Sequence, residues 1–287
     1  MTAPQLQRSL FIASIGNLTA PYTLSRHSAG HTLLKAMEPV LLDRIGFAHP
    51  FYQTWQCPSL MNVSGPALTR RLKAWLAEQR RRRRIYRTNN TTEQLSTVQH
   101  AGDDDAQSSS TSYTLLSNSN SNSNRGEYGR QEEVEEVGSL SLSRQFGATL
   151  AILHDELEAE LGHLKVRRGG PKQASLRGHR GLISVMESLR GAGLLQRSSS
   201  SKQQQQQQRL QSAARSDDPS GHSHSDLEIL RIGIGIGRPE SRNRDDVSRY
   251  VLADMSPREL LAIRRAASPV VDVLVKELYG KKGRRKG

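Results

Sequence analysis

Cysteine is almost missing from this 287-residue chain, with Cys57 the single example. One thiol forms no internal disulfide and no cysteine-based zinc cluster, which fits a reducing compartment. Aromatic residues are scarce at 5%, and apolar residues at 35% are few for a fully packed protein of this length. A compact core diluted by non-core sequence is therefore expected. Acidic residues are outnumbered, 28 against 41 Lys and Arg, which leaves a net charge of +13. Such an excess draws phosphates, so nucleic acid or an anionic membrane surface becomes the default partner, with mere solubility as the alternative. No apolar run approaches the roughly 20 residues that span a bilayer, so no membrane span is expected, and of the two partner classes nucleic acid is taken and no membrane partner. A secretory signal is not expected either, because a strand-like run (Leu10-Phe11-Ile12-Ala13) begins almost at once. A cryptic mitochondrial signal stays open.

What the chain has in abundance is low complexity. A five-arginine run, Arg80 to Arg84, is followed through about Gly138 by Asn, Ser, Thr, Gln and acidic residues. A second such stretch, about Ser198 to Ser225, holds the glutamine run Gln203 to Gln208 and the segment Gly221-His222-Ser223-His224. These compositions bury too little apolar surface to offset chain entropy. Residues 80–138 and 198–225 are expected to be disordered insertions, and 280–287 a basic tail. The segments 8–79, 139–197 and 226–279 are expected to form one domain.

Those three segments alternate between the hydrophobic periods of strands and helices, the mark of an α/β domain. Leu10 to Ile15, Thr149 to Leu153, Gly162 to Arg167 and Leu227 to Ile236 read as strands. Ser28 to Leu42, Pro66 to Leu76 and Leu182 to Leu189 read as helices. A last helix is signalled by Ser256-Pro257-Arg258-Glu259, an N-cap with proline at the first helical position.

Four segments put polar residues where open α/β sheets build their sites, at strand ends. They are Gly16-Asn17 with Tyr22 and Arg26-His27-Ser28-Ala29-Gly30; Met61-Asn62-Val63-Ser64-Gly65; His154-Asp155-Glu156-Leu157; and Gly178-His179-Arg180-Gly181. Singly, each is as consistent with a turn or helix cap as with chemistry. No metal site is expected, because His222 and His224 lack partners at useful spacing. The glycine alternation at 233–237 lacks the spacing of a dinucleotide fingerprint, and no Gly-x-Ser-x-Gly elbow is present.

In order and spacing the four segments resemble the bacterial-type peptidyl-tRNA hydrolase family. Two further matches are Ile234-Gly235-Ile236-Gly237-Arg238-Pro239 and Val251-Leu252-Ala253-Asp254-Met255-Ser256-Pro257. The low-complexity insertions suit a eukaryotic, fungal-like member. The resemblance implies one α/β domain with a mixed, mostly parallel sheet flanked by helices, and cleavage of the ester between peptide and tRNA. It makes His27 the general base, Asp155 the carboxylate that orients it, and Asn17 and Asn62 the amides that position peptide and water. Tyr22, Met61 and Arg180 would touch substrate, and Arg167, Arg168 and Arg231 would hold tRNA. Arg180 departs from the family pattern, which has asparagine there. Another family basic position falls on Gly233, two residues beyond Arg231, so the tRNA grip is only partly kept, with Lys172 and Arg177 as further candidates. Cys57 is read as structural. No cofactor is implied, the expected partner is peptidyl-tRNA, and the expected state is a monomer in mitochondrion or cytoplasm. The alternative is a non-catalytic RNA-binding descendant of the same family.

Overall fold

The computed structural model describes residues 5–99, 142–169, 179–195 and 227–280. Five strands form one sheet in the order β2-β1-β3-β5-β4. They are β1 (Leu6–Ser14), β2 (Tyr52–Gln56), β3 (Leu142–Glu156), β4 (Leu164–Arg168) and β5 (Leu227–Gly235). β2, β1, β3 and β5 run parallel, and β4 closes one edge antiparallel to β5. The expected mixed, mostly parallel sheet is therefore present. Its interior strands read as continuous apolar runs, Leu10 to Ala13 and Leu150 to Leu153, because both faces are covered.

Helices α1 (Ala29–Ile45), α2 (Ser64–Gln99), α3 (Arg180–Gly191), α4 (Arg244–Leu252), α5 (Pro257–Arg265) and α6 (Ala267–Tyr279) complete the elements. Of the described residues, 5–80, 142–169, 179–195 and 227–280 belong to one compact unit and 81–99 to a second. Within the first unit, α1 and α6 pack on each other and on β1. Leu33, Leu34, Met37 and Leu41 supply the buried stripe of α1 at helical spacing. On another core cluster Phe11, Ala13, Leu150 and Ile152 meet Leu68, Leu72 and Trp75 of α2 and Leu182, Val185 and Met186 of α3. Burying each of the larger aliphatic or phenyl side chains among them contributes about 1.5–3 kcal/mol. Gly65 lets α2 and α3 touch, since a Cβ there would lie 2.1 Å from the Ser184 carbonyl oxygen.

Several elements differ from the sequence expectation. Residues 80–99, which the sequence assigned to the first insertion, fall in α2, which runs on through the arginines to Gln99. Arginine, glutamine and leucine are good helix formers, and no glycine or proline interrupts them before Gly102. Residues 100–141, 196–226 and 281–287, with most of both insertions and the basic tail, lie outside the described residues. β2 had no clear signal, since only Tyr52 of its five residues is buried. α4 buries none of its nine residues and so shows no apolar stripe. The last helix breaks at Ala266 into α5 and α6. Pro269 has no N–H to carry the helical ladder through that turn.

Candidate active site

The carboxyl ends of β1 and β3 and the amino ends of α1, α2 and α3 surround a cavity of about 890 Å³. Its lining includes Asn17, Tyr22, His27, Met61, Asn62, Asp155, Arg167, His179 and Arg180. Asp155, 3% exposed, is the hub. Its Oδ2 lies 3.0 Å from His27 Nδ1 and its Oδ1 lies 3.1 Å from His179 Nε2. An ionised carboxylate only accepts, so both imidazole nitrogens donate. His27 Nε2 is then the basic nitrogen left over.

The tautomer of His179 is fixed from its other side too. His179 is the N-cap of α3, where its Nδ1 accepts from the Leu182 N–H at 3.2 Å. His154 turns away from the carboxylate and donates from Nδ1 to the Asp155 carbonyl at 2.7 Å. Its ring stands edge-on to His179, with centroids 5.0 Å apart.

Electrostatics follow this packing. Burial would raise the Asp155 carboxyl, but the charges of His27 and His179 and their hydrogen bonds hold it well below the usual carboxylate range. For His27, burial works against protonation, and the charge and hydrogen bond of Asp155 outweigh it, so its pKa stands above the ordinary 6.5. Burial above all pushes His154 down to about 3, which keeps that ring neutral.

His27 is held by its neighbour. Arg26 donates to Glu259 of α5 at 2.7 and 3.1 Å and lies 4.2 Å over the Tyr250 ring of α4. Asn17 is held from three directions. Its Oδ1 accepts from Met61 N at 2.9 Å, its N–H donates to Ser28 Oγ, and its carbonyl accepts from the same hydroxyl. With Oδ1 engaged, the Asn17 amino group remains as the donor for a ligand. The turn before it rests on a buried histidine, His31, whose Nδ1 is 2.7 Å from Ser14 Oγ. A Cβ on Gly16 would come within 2.6 Å of that ring. Burial pushes His31 down to about 4.

The other expected site residues divide. Asn62 and Arg180 are exposed on the cavity wall, Tyr22 is 37% exposed at its edge, and Met61 is 1% exposed beneath it. Arg167 reaches the cavity and pairs with Glu156 at 3.5 Å. Arg168 instead pairs with Glu277 and Glu228, away from the cavity. Arg231 is 4% exposed and not part of the lining, because β5 is an interior strand between β3 and β4. Burial, then the charge of Arg167 opposite it, push its pKa down against the pull of Glu156. Cys57 is buried, with Sγ 3.8 Å from the Ser64 carbonyl, and takes no part. Lys172 and Arg177 lie outside the described residues. Sequence reading gave His179 no role, although it stood in a quoted segment; its signal was a histidine at a helix start. No group of three or more metal-binding side chains occurs among the described residues.

No protein-family model matches the chain. Among curated proteins, a "Probable peptidyl-tRNA hydrolase" of Schizosaccharomyces pombe is 35% identical over 112 residues, covering 39% of this chain and 36% of that protein. A peptidyl-tRNA hydrolase of Geobacter metallireducens is 29% identical over 44% of this chain and 43% of its own length. One of Saccharomyces cerevisiae is 27% identical over 44% and 48%. The chain thus spans less than half the length of these relatives. A solved peptidyl-tRNA hydrolase of Acinetobacter baumannii, 15% identical, superposes with a TM-score of 0.46 over 97% of this chain and 92% of that one. Through its curated relatives, fungal and bacterial alike, the chain is similar to proteins named peptidyl-tRNA hydrolase.

Proposed function

We propose that this protein is a peptidyl-tRNA hydrolase, which cleaves the ester joining a peptide to the 3′ end of tRNA. The observation that carries the reading is the His27 Nδ1 to Asp155 Oδ2 hydrogen bond of 3.0 Å in a cavity lined by Asn17 and Asn62. Water attacks the ester carbonyl while His27 Nε2 takes its proton. Asp155 holds the tautomer that leaves Nε2 basic and stabilises the imidazolium that forms. The Asn17 amino group donates to the oxyanion of the tetrahedral intermediate, a contribution of about 2.7–4 kcal/mol where one such donor has been removed elsewhere. Collapse expels the tRNA 3′ oxygen, which takes the proton back from His27. The products are a free peptide carboxylic acid and tRNA with its hydroxyl restored.

The substrate's RNA suits a chain of net charge +13, and Arg167 is the basic residue of the expected grip that reaches the cavity. A monomer in mitochondrion or cytoplasm completes the proposal, to be checked by size-exclusion chromatography and by fractionation of cells. The chemistry is tested by release of tRNA from an N-acetylated aminoacyl-tRNA by the purified protein. Turnover is expected from the wild type and a drop of about 10²–10⁴-fold from His27→Ala, with tRNA binding kept. Equal rates from the two proteins overturn the assignment of His27, and no release by the wild type overturns the activity.

A further inference from the structure

Five arginines line the cavity, at positions 167, 180, 238, 242 and 244, against three carboxylates, Asp155, Glu156 and Glu158. Each carboxylate is already matched within the protein. Asp155 is taken by His27 and His179, Glu156 by Arg167 and Lys165, and Glu158 by Arg238. Among the described residues, no ion pair or hydrogen bond engages the side chain of Arg180, Arg242 or Arg244. Asp246, two residues after Arg244 on α4, is occupied by Ser241 and Arg249, and the adjacent Asp245 is exposed and outside the cavity lining.

Exposed arginines are often no more than solvated surface. These three differ in where the fold brings them. Arg180 opens α3 directly after His179, and Arg242 and Arg244 flank Asn243, the N-cap of α4. Two separate chain segments thus set three like charges around one cavity whose own acids are spent. Like charges sharing a cleft repel one another and raise the local concentration of anions. Guanidinium also offers a planar donor fork that fits carboxylate and phosphate oxygens.

The geometry points to an oxyanion subsite formed by Arg180, Arg242 and Arg244 in the catalytic cavity. It takes a negatively charged group of the substrate other than the ester being cleaved, and it rests on the hydrolase reading above. Two parts of a peptidyl-tRNA carry that chemistry: a backbone phosphate near the esterified nucleotide, and an acidic side chain of the peptide.

The test compares the wild type with Arg180→Gln, Arg242→Gln, Arg244→Gln and their combination. The substrates are N-acetylglutamyl and N-acetylglutaminyl esters of one tRNA, and binding of the same tRNA without ester is measured across salt. Arg249→Gln, which removes an exposed charge outside the cavity lining, controls for net charge. A phosphate ligand raises KM for both esters alike, about threefold to tenfold per arginine, and flattens the log Kd against log salt slope by roughly 0.7–0.9 for each. An acidic side-chain ligand raises KM for the glutamyl ester alone and leaves ester-free tRNA unchanged. Variants within twofold of the wild type on both esters and on ester-free tRNA overturn the subsite. If the wild type cleaves neither ester, the hydrolase reading fails, and the Kd values of the intact esters and of ester-free tRNA decide the subsite by the same pattern.

Discussion

His179 Nε2 sits 3.1 Å from Asp155 Oδ1, the carboxylate oxygen that His27 leaves free. Asp155 is thereby held at both oxygens, and His179 is itself held by the α3 backbone through Leu182 N. His27, Asp155 and the start of α3 form one chain of hydrogen bonds.

The two jobs of His179 can be separated. Asparagine is a good N-cap, so His179→Asn is expected to keep the stability of α3, while His179→Ala loses about 0.5–2 kcal/mol. Both variants remove a hydrogen bond to a charged group, worth about 1.5–3 kcal/mol. Both should therefore lower kcat roughly 10- to 100-fold. Wild-type kcat in His179→Asn, measured alongside urea unfolding, would confine the residue to capping.

Activity should depend on pH through His27. In the proposed mechanism the neutral ring is the base, and Asp155 holds its pKa above 6.5 against burial. kcat/KM is therefore expected to rise with pH, with a midpoint above 6.5. In Asp155→Asn the raising charge is gone and burial remains, so the residual activity should show its midpoint below 6.5. A midpoint that does not move between the two proteins counts against the pairing.

Acid should weaken the fold through His31. Below pH 6.5 the unfolded chain takes up a proton on this ring that the folded protein accepts only near pH 4. Stability contributed by the neutral ring is thus present above 6.5 and falls as pH drops toward 4. The loss is on the order of 3 kcal/mol. Urea unfolding of His31→Leu at pH 7 and pH 4.5 should show a smaller fall than the wild type, whatever its stability at pH 7. An unchanged fall would place the acid sensitivity elsewhere, with His154 the next group to examine.

Gly30 tests how closely α1 must approach β3. A Cβ there would lie 2.6 Å from the carbonyl oxygen of Leu153, which is backbone and cannot swing aside. Gly30→Ala is expected to push the α1 start away from β3 and lengthen the His27 to Asp155 contact. Its cost should be about 1–3 kcal/mol in stability and at least tenfold in kcat. Melting temperature and single-turnover rates measure the two. A variant with wild-type kcat would show that the site tolerates a displaced helix.

Much of this protein was written locally. Continuous apolar runs marked the strands beneath both helical layers, the Leu33 to Leu41 stripe marked α1, and Ser256 with Glu259 marked the start of α5 through a capping box that the structure contains. These signals are legible because periodicity and caps act between residues a few positions apart. Likeness to a known set of motifs, in residue type and spacing, also singled out His27, Asp155, Asn17 and Asn62.

Other features had no local signal. β2 is an edge strand with one buried side chain, and α4 lies on the surface with none, so neither needed an apolar pattern. The arginine run continues a helix already nucleated by the packed residues Leu68, Leu72 and Trp75. Arg168 and Arg231 looked alike with Arg167 as phosphate ligands in sequence. Position in the sheet separated them: Arg167 reaches the cavity, Arg168 pairs with Glu277, and Arg231 is buried on the interior strand β5. The sequence by itself determined which residues are suited to the chemistry and, through its cap, where α5 begins. Only tertiary structure decided that His179 would complete Asp155 and that three arginines would share its cavity, because those pairings join residues far apart in the chain whose meeting depends on how the whole sheet is covered.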